Sequence, residues 1–144
     1  NTLRRLETAK LKRLKPLSLA KSLAPKMAAA AQRVYDDWDE SDRDTYAGGG
    51  ICHLIADEIY SILDHAHVEP VSTQSASDEQ HVYVVAAFKE GVYNIDISPY
   101  TYERGGGFSW KKVPDVKFDA SDITFYRLIS DPEEFSEYVD EWEE

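Results

Sequence analysis

The chain has 144 residues, 42% of them apolar and 12% aromatic, a composition that fits one folded domain and excludes wholesale disorder. The net charge of -11 is unevenly divided: residues 1–34 carry nine bases and one acid (+8), residues 35–144 seven bases and 26 acids (-19). The body is therefore expected to repel nucleic acid and anionic lipid, which leaves only the basic arm, residues 1–34, with the charge to attract either.

In chain order, Leu3, Leu6, Leu11 and Leu14 fall on one side of a helix whose other surface is basic, and Pro16 is expected to end it. This arm is expected to dock on the acidic body. A second helical stretch follows from Ser18, a candidate N-cap, through a run of alanines, with Pro25 breaking or restarting it. Residues 36–50, DDWDESDRDTYAGGG, read as an acidic, turn-rich connection. From Ile51 the apolar residues Leu54, Ile55, Ile59, Ile62 and Leu63 recur at helical spacing, predicting a central helix to about Asp64. Residues 67–80 are polar and read as a loop. HVYVVAAF (81–88) and VYNIDI (92–97) predict two strands joined across Lys89-Glu90-Gly91, and FSWKKV (108–113) and ITFYRLI (123–129) predict a third and fourth. DPEEFSEYVDEW (131–142) predicts a terminal helix started by Asp131 and Pro132. Helices first and strands joined by short turns afterwards predict an α+β fold, with the central helix packed on an antiparallel sheet.

The sole cysteine, Cys52, stands at the predicted start of the central helix, directly after Gly48-Gly49-Gly50-Ile51. Free amides and aligned peptide dipoles at a helix N-terminus stabilise a thiolate. The glycines permit a sharp turn and leave main-chain amides able to face an oxyanion. A thiol nucleophile also needs a base. His53 adjoins Cys52 but points about 100° around the helix, and His65 and His67 lie roughly 20 Å away at its far end. His81 opens the strand after a loop long enough to return to the helix start. Asp96, between Ile95 and Ile97 in the next strand, needs a partner there. If the hairpin closes with an even number of loop residues (Glu90-Gly91, or Phe88 to Gly91), Asp96 shares a sheet face with His81; the four-residue closure makes them diagonal neighbours, and a three-residue loop separates them. Tyr46 and Gly50 are candidates for further oxyanion or cleft contacts. The glycine-rich 103–110 segment, with Trp110, reads as a mobile turn at the cleft rim.

His81-Val82-Tyr83, Gly91, Tyr93, Ile95-Asp96 and Pro99, with GGGIC upstream, resemble the transglutaminase-like superfamily of papain-fold cysteine enzymes over residues 46–100. The resemblance implies a papain-like core over residues 35–144 and a Cys52-His81-Asp96 triad acting through a thioester on amide bonds of a protein or peptide: peptide, isopeptide or glutamine side chain. It calls for no cofactor and no metal. The competing expectation is a non-catalytic interaction module on the same fold, recruiting its partner through the basic arm. No apolar run is long enough to span a bilayer, no secretory signal pattern is present, and a lone cysteine suits a cytoplasmic location.

Overall fold

The structure, a computed structural model, describes residues 12–39, 51–76, 81–105 and 111–132. Its elements are α1 (Leu17–Ser22), α2 (Ala24–Asp36), α3 (Cys52–His65), β1 (Val71–Ala76), β2 (His81–Phe88), β3 (Gly91–Asp96), β4 (Glu103–Arg104), β5 (Lys111–Lys112) and β6 (Thr124–Ile129). Two 3₁₀ turns, Pro99–Thr101 and Ala120–Asp122, link the later strands. The class is α+β: β1, β2, β3 and β6 form an antiparallel sheet in that order, and β4 pairs with β5 apart from it.

The sheet is two-sided. Alternate residues of β2 point to opposite faces. Val84, Ala86 and Phe88 join the main core with Ile55, Ile59 and Leu63 of α3 and Met27, Ala30 and Ala31 of α2. Val85 and Ala87 join Val92 and Leu14 in a smaller cluster. Leu14 is the only one of the four arm leucines within the described residues. Beside it Arg13 pairs with Glu69 at 2.9 Å, and Lys89 N–H donates to the Lys15 carbonyl at 2.9 Å, so the end of the arm is docked on the body. The charge division at residue 34 falls inside α2, which is itself buried in the main core.

Pro25 restarts the helical stretch as expected, standing in the first turn of α2, where its missing N–H has no intrahelical partner to lose. Ser18 is not the N-cap. The capping position is Pro16, whose side chain has no acceptor, and Leu17 N–H donates instead to Glu90 Oε1 in the β2–β3 turn at 3.0 Å. That long-range cap made a local Ser unnecessary.

Two strand expectations are corrected. Residues 71–76, read as loop, form an edge strand paired with β2 from Val71↔Ala86 to Ala76↔His81. Their Ser, Thr and Gln give no apolar alternation; the ladder comes from the neighbour. Of residues 108–113, Lys111–Lys112 pair with β4 and do not join the main sheet, because the chain reverses locally and Arg104 meets Lys111. β6 takes the place beside β3. The terminal helix from Asp131 falls on residues 133–142, outside the described ones.

Two lengths bring the start of α3 to the start of β2. Fourteen helical residues span about 21 Å, and the six residues of β1 about 20 Å. α3 lies along β1 and β2. The chain turns back after its end, where His67 adopts a left-handed φ of 63°, and β1 then begins opposite Ala86, near the hairpin turn. The first residue of α3 therefore returns to the opposite end of the sheet, where His81 begins β2.

Candidate active site

Hairpin register decides whether His81 and Asp96 can meet. Phe88 pairs with Gly91 across a two-residue turn, Lys89-Glu90, and Val84 pairs with Ile95. Continued by one residue, this register sets Asp96 opposite Tyr83, so that His81 and Asp96 are diagonal neighbours on one face. It is the register expected from a Phe88-to-Gly91 closure, drawn in by one further pair; closure at Glu90-Gly91 is excluded. Gly91 makes the turn possible. Its φ is +140°, and a Cβ placed on it would lie 2.4 Å from the Ile129 carbonyl oxygen of β6.

The two side chains touch: His81 Nε2 lies 2.5 Å from Asp96 Oδ2, with both side chains about 15% exposed. The His81 ring also stacks on Tyr83, centroids 6.1 Å apart. Cys52 hydrogen-bonds the same imidazole. With Nε2 engaged by Asp96, Nδ1 is the ring nitrogen left for the thiol. Cys52, His81 and Asp96, 44 residues apart along the chain, thus form one contiguous chain of polar contacts.

The electrostatics follow from the burial. Desolvation works against a charged imidazole, but the bonds to Asp96 and Cys52 and their negative fields outweigh it, pushing His81 from 6.5 up to about 10. Burial raises the Asp96 carboxyl above the usual carboxylate range, with the bond to His81 pulling the other way. A neutral-pH site with a protonated ring against a carboxylate is the arrangement in which an imidazole holds a proton taken from a thiol.

Cys52 is the first residue of α3 and is buried. The Ile51 carbonyl accepts from Leu54 and Ile55 N–H, both at 3.0 Å, so the Cys52 and His53 amides precede the first intrahelical bond. Ile51 has no side chain to cap them. The positive end of a fourteen-residue helix therefore meets the sulfur. Such amides are suited to an oxyanion forming on a carbonyl bonded to that sulfur.

Tyr46, Gly50 and Trp110, the other expected contacts, lie outside the described residues. Two residues that the sequence reading gave no role stand at the triad, and one of them, Glu103, expected to open a mobile turn, is buried in the strand β4. After Asp96, the 3₁₀ turn at Pro99–Thr101 brings Tyr102 and Glu103 back onto the site. Tyr102 is completely buried, and burial, followed by the fields of Glu103, Cys52 and Asp96, holds its phenol above the ordinary range. Glu103 is 3% exposed; burial pushes it from 4.5 up to about 7, opposed in part by His81. Neither carries a sequence signal, since a two-residue strand has no periodicity to read.

β5 and the chain after it are held by α2 and by Trp38, just beyond its end. Lys112 Nζ donates to the Trp38 carbonyl at 3.1 Å and sits 4.4 Å above the Tyr35 ring. Gln32 and Tyr35 bind the backbone that follows: Phe118 N–H donates to Gln32 Oε1 at 2.8 Å, and Val116 N–H to the Tyr35 hydroxyl at 3.2 Å. No helix among the described residues is long and apolar enough to cross a membrane. Comparison of the chain with family models, with curated proteins and with solved structures finds no match.

Proposed function

We propose that the chain is a cysteine hydrolase or acyltransferase of the transglutaminase-like, papain-fold type, acting on amide bonds of a protein or peptide. The observation that carries this reading is the 2.5 Å His81–Asp96 contact on an imidazole that also binds Cys52. A histidine held by a buried carboxylate on one side and a thiol on the other is the constellation that nucleophilic catalysis needs. The central helix on an antiparallel sheet, with the thiol at the helix start, supports a papain-like core.

In this reading His81 already holds the proton taken from Cys52, and the sulfur attacks the amide carbonyl as a thiolate. The C–S bond forms and the oxygen becomes an oxyanion facing the Cys52 N–H. Collapse breaks the C–N bond, His81 returns the proton to the departing nitrogen, and an acyl thioester remains on Cys52. Water, deprotonated by His81, then attacks the thioester; the C–S bond breaks, the thiol recovers its proton, and a carboxylic acid leaves. An amine in place of water gives transamidation, and a glutamine side chain as substrate gives ammonia and glutamate. Asp96 fixes the ring and stabilises the imidazolium throughout.

The test is incubation with peptide and glutamine-containing libraries, with mass spectrometry of the intact protein and assays for ammonia and new peptide termini. Acyl adducts on Cys52, absent from Cys52→Ala, are expected. Absence of both adduct and turnover across the libraries contradicts the reading and favours a non-catalytic interaction module.

A further inference from the structure

Glu103 stands beside the triad with an unmet need. Its Oε2 is buried with no hydrogen-bond partner, and the residue is 3% exposed. Its cross-strand neighbour Lys112 is committed elsewhere, to the Trp38 carbonyl and the Tyr35 and Trp38 rings. A buried acid without a partner destabilises a fold, and a site tolerates it when a ligand completes it. The surroundings define that ligand. Glu103 lies within the electrostatic field of His81, and Tyr102 beside it senses Glu103, Cys52 and Asp96 together. Moving the thiol proton to His81 leaves the sum of charges unchanged, so above about pH 7, where Glu103 is ionised, the enclosure is negative in either proton arrangement. A neutral donor relieves a desolvated negative enclosure less than a cation does, and an anion is repelled.

We propose that Glu103 is a specificity residue, receiving an ammonium or guanidinium group of the substrate beside the amide bond that Cys52 attacks. The substrate class is then a peptide or protein segment with a lysine- or arginine-like cation near the scissile amide. This inference rests on the hydrolase reading of the triad.

Because Cys52 is the only thiol, the charge preference of the site is measurable without a known substrate. Labelling rates with 2-aminoethyl methanethiosulfonate (cationic), 2-sulfonatoethyl methanethiosulfonate (anionic) and methyl methanethiosulfonate (neutral) are compared for the folded and urea-unfolded chain. The proposal expects a cation-to-anion rate ratio roughly tenfold or more above that of the unfolded chain. Glu103→Gln and Glu103→Met are expected to lose most of that excess while raising the urea midpoint, since an unpaired buried acid has been removed. A folded wild type without the excess overturns the proposal, and so does a folded variant that keeps it. If both variants fail to fold, Glu103 is structural and the proposal is equally overturned. The neutral reagent tests the underlying reading separately: a Cys52 no faster folded than unfolded removes the hydrolase reading, whereas the charge ratio still judges Glu103.

Discussion

Replacing Asp96 by Asn removes the charge that faces His81 while keeping the shape of the carboxylate. In the wild type His81 titrates near 10 instead of 6.5. At about 1.4 kcal/mol per pKa unit, its charged form is favoured in the folded site by on the order of 5 kcal/mol. The desolvation of Asp96 offsets part of this, so a net of a few kcal/mol is expected. The folded value is raised, so the stabilisation is fully present below pH 6.5 and is lost as pH rises through about 10. In Asp96→Asn, burial is opposed only by the Cys52 contact and the field of Glu103, and His81 is expected to titrate at least about two units lower. The assay is an NMR titration of the His81 Cε1–H signal, assigned by its absence in His81→Ala, paired with urea unfolding at pH 6.5, 8 and 10. Wild-type stability should fall across this window more steeply than that of Asp96→Asn. A wild-type His81 titrating near 6.5, or one still near 10 in Asp96→Asn, refutes the reasoning.

Gly91→Ala should destabilise the fold by about 2–4 kcal/mol in urea unfolding, since a φ of +140° and an Ile129 oxygen 2.4 Å from the new Cβ force the β3–β6 pair apart; an unchanged midpoint would show that the turn does not set the register. Glu90→Ala should cost about 1 kcal/mol by leaving Leu17 N–H uncapped, and Glu90→Gln, which keeps an acceptor, clearly less. Tyr35→Phe should cost about 1–3 kcal/mol, because its hydroxyl donates to the Val113 carbonyl and accepts from Val116 N–H. Arg13→Ala should stay within about 0.5 kcal/mol of wild type, its pair with Glu69 being half-exposed on both sides.

The central helix and the β2–β3 hairpin were legible because each is bounded by a pattern that geometry enforces. Ile55, Ile59, Ile62 and Leu63 repeat at helical spacing, and Val84, Ala86 and Phe88 alternate with Val85 and Ala87 between two buried faces. The nearness of His81 and Asp96 reduced to one countable quantity, the parity of the turn, which Gly91 fixes. The edge strand β1 was hidden because Ser72, Thr73, Gln74 and Ser75 take their ladder from β2, not from their own propensity. The cap of α1 was hidden because Glu90 is 73 residues from Leu17. Glu103 was hidden as well: nothing in TYERGGG says that a 3₁₀ turn will carry a buried acid back into the field of His81.

The most direct test of the account is the rate at which iodoacetamide alkylates Cys52, measured at neutral pH in the folded wild type, the urea-unfolded chain and His81→Ala. Contact between sulfur and imidazole predicts a folded rate about tenfold or more above the unfolded one, and loss of that advantage when the ring is removed. A folded rate at or below the unfolded rate that His81→Ala leaves unchanged would contradict it.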